Sequence, residues 1–177
     1  MVPENPLKIS SPWQCDRCRL RMDNAKVTKI QEIAGSMILS NAVKRDGAYI
    51  VEYLRDHVSR FLLPGNQFAV ELKLQAIRKF QNALATDEQL GEKRRFCEDI
   101  LAILRQLDIG ECFIKGVLCY ELFKVRMVLA QRTEQLECFP DRTALDNLRT
   151  AWIILGYSAN RPRDLDQLAQ CYGCNKL

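Results

Sequence analysis

From residue 23 onward the apolar side chains return every three or four positions, and no stretch alternates strictly between apolar and polar, so the pattern predicts helices and no half-buried strand. Asp23 is placed to cap a first helix with the stripe Val27, Ile30, Ala34, Met37 and Ile38, ending near Asn41. A second follows Asp46-Gly47 with Ile50, Leu54, Val58 and Phe61 inward, and Leu63-Pro64-Gly65-Asn66 stops it. These two are expected to pair as an antiparallel hairpin. The third carries Val70, Leu74, Ile77, Phe80 and Leu84. Thr86 and Gln89 then form a capping box for a fourth, with Cys97, Ile100, Leu101, Leu104 and Leu107 inward, and Gly110 is expected to make the turn that ends it.

The fifth helix, from about Glu111 to Glu137, is apolar around most of its circumference, which marks it as the central element. Gly116 within it costs about 1 kcal/mol relative to alanine and so points to a close crossing with a neighbour. Pro140-Asp141 opens a sixth helix with Leu145, Leu148, Trp152 and Leu155 on one side. Residues 156–162 break it before a short seventh around Leu165 and Leu168. The expected fold is all-α: about seven helices in antiparallel hairpins, tetratricopeptide-like in unit size but without that repeat's signature. The helical domain spans residues 23–177, behind a short irregular segment, 1–22, that carries two cysteines.

Composition narrows the setting. With 177 residues, 47% hydrophobic and 27% charged, the chain reads as one soluble domain with an appendage. No apolar run reaches membrane-span length and the opening residues lack an export signal, so the expected location is cytoplasmic, nuclear or both. Eight cysteines would suit disulfides in a small secreted domain, but without an export signal Cys97, Cys112, Cys119 and Cys138, which fall singly in helical sequence, read as reduced core or boundary residues. The net charge of +4 comes from 26 basic and 22 acidic residues interleaved along the chain, which does not indicate nucleic-acid binding. The densest basic cluster, Lys93-Arg94-Arg95, reads as a solvated helix face.

Candidate chemistry concentrates in Trp13-Gln14-Cys15-Asp16-Arg17-Cys18. A gap of two residues lets the thiolates of Cys15 and Cys18 meet one ion from a tight turn, and Arg17 and Arg19 favour deprotonation. Two thiolates make only half of a structural zinc site, which is closed and tetrahedral. Cys171 and Cys174 repeat the spacing near the other end, so a zinc staple using both pairs is one alternative, and chance spacing is another. His57, the only histidine, reads as a solvent-edge or satisfied residue. No phosphate loop, nucleophile elbow or His-Glu-x-x-His motif is found, and no catalytic residue is nominated.

The run from Leu107 to Leu122, with Leu107, Asp108, Gly110, Gly116 and Tyr120-Glu121-Leu122, resembles the helical C-terminal domain of SET and MYND domain lysine methyltransferases, particularly arthropod members. Cys119 stands where the family pattern usually has leucine. Asn5-Pro6-Leu7 with residues 12–18 is similar to the latter half of that family's cysteine-rich region after the SET domain, and residues 62–68 are similar to a helix-connecting loop. The resemblance implies that segment 1–22 is the end of a post-SET zinc-binding region, with Cys15 and Cys18 as metal ligands completed by upstream cysteines. It implies a domain that flanks the substrate cleft or binds a protein or peptide partner. Methyl transfer from S-adenosylmethionine would belong to an intact family member, since the SET segments and catalytic tyrosine are expected before residue 1, and Tyr120 is not that tyrosine. This chain is then not itself an enzyme. Two rivals remain: a self-standing helical adaptor, and a zinc-bearing structural protein.

Overall fold

The computed structural model describes residues 2–5, 7–8, 10–15, 17–42, 44–135 and 139–174. The chain divides into two compact units, Met1–Arg45 and Asp46–Leu177, and the expected pairing of the first two helices falls on the boundary between them.

In the first unit, β1 (Val2–Pro3), β2 (Trp13–Gln14) and β3 (Arg21–Met22) form an antiparallel sheet in sequence order, with Trp13 opposite Met22 and Gln14 opposite Arg21. The segment expected to be irregular is therefore a small meander. Two-residue strands are too short to express the alternation by which strands are read from sequence. Helix α1 (Asn24–Ala42) follows, and the Asp23 carbonyl accepts the Val27 amide at 3.1 Å. Val27 is buried, but Ile30 and Met37 of the expected stripe are 50% and 63% exposed. The covered face instead runs through Val27, Ala34, Gly35 and Ile38, and the apolar arc of α1 is wider than the arc that is covered.

The second unit is wholly helical: α2 (Gly47–Asp56), a 3-10 turn (Val58–Arg60), α3 (Gln67–Lys79), α4 (Asp87–Gln106), α5 (Phe113–Arg132), α6 (Arg142–Leu155) and α7 (Leu165–Cys171). From α2 onward each helix packs on the next. This is the all-α arrangement of successive hairpins that the sequence predicts. Side chains cap the starts: Asp46 accepts the Tyr49 amide at 2.8 Å, Asp141 accepts that of Ala144 at 2.7 Å, and Thr86 and Gln89 form the expected reciprocal capping box.

Several ends differ from expectation. Phe61, Leu84 and Leu107 are exposed because each lies beyond the last turn of its helix. The turn after α4 is made by Asp108 and not by Gly110. Asp108 adopts φ 50°, the Ile109 amide donates to the Leu104 carbonyl at 3.0 Å, and the Asp108 amide donates to that of Arg105 at 3.1 Å. That is the double bond of a Schellman cap, and aspartate tolerates the left-handed position better than most residues.

Helix α5 is enclosed on several sides, with Leu118, Cys119, Tyr120, Leu122, Phe123 and Val125 all buried. A β-carbon on Gly116 would stand 2.8 Å from Ile154 Cγ2 and from Leu155 Cγ, so this glycine lets α6 pack closely on α5. Lys93 is the largest departure. Its side chain is 3% exposed, and its ammonium donates to the Phe80 carbonyl (3.0 Å) and Asn82 Oδ1 (2.8 Å) and pairs with Glu121 Oε2 (2.6 Å). Only its neighbours Arg94 and Arg95 face water, because α4 turns position 93 toward α5.

Two stability measurements check this packing. Gly116→Val, which adds bulk between buried side chains without improving helix propensity, is expected to lose about 2–3 kcal/mol in urea unfolding. Lys93→Met, which keeps the bulk but leaves Glu121 and the Phe80 carbonyl without their donor, is expected to lose about 3 kcal/mol. A midpoint unchanged by Lys93→Met would show that the buried ammonium contributes nothing net.

Candidate functional site

Cys15 and Cys18 sit on the connection between β2 and β3. The hairpin is held by the Cys15 amide donating to the Leu20 carbonyl and the Arg19 amide donating to the Cys15 carbonyl, both at 2.9 Å. Arg19 closes the turn in the left-handed region, at φ 61°. The Trp13 indole N–H donates to Asn24 Oδ1 at 2.9 Å, which ties the hairpin to the first residue of α1. The Arg21 guanidinium pairs with Glu4 at 2.8 Å across the sheet.

This turn aims backbone donors at sulfur. The amides of Cys18 and Arg17, together with the Cys18 thiol, hydrogen-bond to the Cys15 sulfur and hold its pKa below the usual thiol value, against a smaller opposing effect of burial. Cys15 is half-buried and Cys18 exposed. Two adjacent sulfurs with amides directed at one of them suit a thiolate-loving ion such as zinc, for which this is half of a coordination shell. Among the described residues no third His, Cys, Asp or Glu joins them.

The other candidates take different roles. Cys174 is buried in the α5–α7 core while Cys171 is exposed, so one thiol of that pair packs and the other meets solvent. His57 is exposed at the end of α2, with its ring 5.5 Å from that of Tyr53. Cys97 and Cys119 are buried, and burial pushes their thiols up to about 12 and about 11. Cys112 precedes α5, and Cys138 lies outside the described residues. The Tyr120 hydroxyl donates to Asp164 Oδ1 at 2.5 Å, and Lys124 reaches the other oxygen of that carboxylate at 2.8 Å. Burial opposes ionisation of Asp164, but the bonds from Lys124 and Tyr120 outweigh it and hold the carboxyl below its usual value.

The helical unit also carries a groove of about 340 Å³ between α2, the 3-10 turn, α3 and α4. Val51, Leu54, Val58 and Phe96 give it an apolar floor, while Arg55, Arg95 and the Lys73–Asp99 pair (2.7 Å) supply charge. Phe61 and Leu63, both largely exposed, stand on the segment that bounds it at Leu62 and Pro64. The sequence did not signal this groove. Lys73 lies on the buried face of α3 beside Leu72, and its partner is 26 residues away on α4.

By sequence, the chain is distantly related to a SET domain-containing protein. That relative is the SET domain-containing protein SmydA-8 of Drosophila melanogaster. A stretch of 125 residues, 69% of this chain, is 26% identical to its isoforms A and B and covers 27% and 28% of their lengths. The chain thus spans less than a third of the curated relatives it matches. No family model matches the sequence, and no solved structure does.

The cysteine environments predict an order of reactivity. In metal-free native protein at pH 7.5, iodoacetamide is expected to modify Cys15 well before Cys97 or Cys119, read by peptide mass spectrometry. The reason is that the reactive species is the thiolate, which backbone donors favour at Cys15 and burial disfavours in the core. Equal rates at the three positions would contradict it.

Proposed function

We propose that this chain is the C-terminal helical part of a SET and MYND domain protein lysine methyltransferase. In this reading residues 1–22 end a post-SET zinc-binding region, and residues 23–177 form a tetratricopeptide-like domain that flanks the substrate cleft or binds a protein or peptide partner. The relationship to SmydA-8 carries the proposal, since that protein's name places it among SET domain proteins and the match covers 69% of this chain. Tyr120, the tyrosine in the sequence signature, is buried and committed to Asp164. S-adenosylmethionine binding and catalysis belong to the intact enzyme, acting in the cytoplasm, the nucleus or both.

Zinc is the metal we assign to Cys15 and Cys18, with its remaining ligands coming from outside the described residues. The hairpin supports this by directing main-chain amides at the Cys15 sulfur. The groove of about 340 Å³ favours one second reading, a helical adaptor that engages a peptide without any methyltransferase partner domain.

Three assays separate these readings. The isolated chain, incubated with S-adenosylmethionine and protein substrates, is expected to transfer no methyl group above background, and robust transfer would sink the proposal. Zinc retention, followed by chelator competition, is expected to be weak and to fall further in Cys15→Ser or Cys18→Ser while Cys171→Ser leaves it unchanged. Loss of zinc in Cys171→Ser would instead support a staple built from both pairs. Finally, the full-length transcript is expected to encode a SET domain, and a transcript without one would favour the adaptor.

A further inference from the structure

One part of the sequence signature serves neither the cysteine hairpin nor the groove: the turn from Asp108 to Gly110. It forms the mouth of a second cleft, of about 390 Å³, enclosed by α4, the turn itself, α5 and α6. Three charged side chains line it: Arg105 from α4, Asp108 from the turn and Lys115 from the first turn of α5. Neither Arg105 nor Lys115 has an ion-pair partner among the described residues, whereas Arg55, Lys73 and Arg95, which face the groove beside α2, each have one.

A further polar group at the cleft is unmatched. The side-chain nitrogen of Asn147, on α6, is shielded from solvent and has no hydrogen-bond partner among the described residues. Buried amide donors are almost always satisfied, so this one is open to an acceptor from outside the protein, a water or a ligand oxygen. Cys119, also at the cleft, carries a neutral thiol, because burial pushes its pKa up to about 11, and it does not repel an anion.

The balance of charge selects the ligand. A cation would face two cations against the single carboxylate of Asp108, and a neutral molecule would leave the excess charge unmatched. An oxyanion satisfies both Arg105 and Lys115 and offers Asn147 its acceptor. The half-buried Leu101 and Leu104 alongside leave room for more than a bare ion. We propose that this cleft binds a small organic oxyanion, a carboxylate or phosphate monoester on a short apolar body, with its head held by Arg105, Lys115 and Asn147. The proposal is independent of whether the chain belongs to a methyltransferase.

The test is a titration of the full 15N-labelled chain at constant ionic strength with sodium hexanoate, hexyl phosphate and hexanol, followed by amide chemical shifts. Saturable shifts are expected at Gly110, Lys115, Cys119 and Asn147 with at least one anion, and binding at least about ten-fold weaker for hexanol, which lacks the charged head. Saturation by hexanoate alone identifies a carboxylate site, and saturation by hexyl phosphate alone a phosphate site. Arg105→Gln and Lys115→Gln, which remove charge at solvent-accessible positions, are each expected to weaken binding by about ten-fold, and Asn147→Asp to abolish it. Shifts spread over all exposed basic residues, equal response to hexanol, no saturation by either anion, or unchanged affinity in Lys115→Gln would each overturn the proposal.

Discussion

The helical unit is organised around the buried positive charge of Lys93. An ammonium group has three protons to donate and is expensive to hide unless all three are used. Lys93 spends them on the main chain where α3 ends, on Asn82 in the following loop, and on Glu121 in the middle of α5. One side chain thereby fixes how three consecutive segments meet. The helices around it have only moderate separation of apolar and polar faces, so apolar contact alone constrains their rotation weakly. The paired charge removes that freedom, since turning α4 about its axis would strand the ammonium from acceptors on two other segments.

The same logic explains the run from Leu107 to Leu122, which the sequence singles out. Its residues are architectural in the helical unit. Gly116 admits α6 against α5, Tyr120 anchors the start of α7 through Asp164, Glu121 neutralises Lys93, and Leu122 is buried. Asp108 closes α4 with its left-handed backbone. A pattern of this kind identifies a packing arrangement.

Helix order and most starts were legible in the sequence because caps and breakers act locally: Asp46, Thr86 with Gln89, and Asp141 each bond to amides within three residues. The close crossing at Gly116 was also legible, from the cost of a glycine inside a helix. What could not be read was long-range pairing. Lys93 looked solvated beside Arg94 and Arg95 because Glu121 lies 28 positions further on, and the stripe of α1 was misplaced because its apolar arc exceeds the face that is covered. At the cysteine pair, spacing conveyed that both thiols could share an ion. The turn that carries the pair has Arg19 in the left-handed region, and arginine is not a residue that announces such a turn.

That hairpin bears on how a complete metal centre would assemble. Its sulfurs are positioned by main-chain bonds and by the Trp13–Asn24 contact, with no ion needed to gather them. The conformational entropy of arranging these two ligands is therefore lost when the segment folds, before any metal arrives. Affinity then depends on the local concentration of the remaining ligands, which a covalently connected or tightly docked domain raises steeply. Under the proposed zinc reading, a preformed half-shell of this kind would make metal occupancy report on whether two pieces of polypeptide have come together, more than on the folding of either piece.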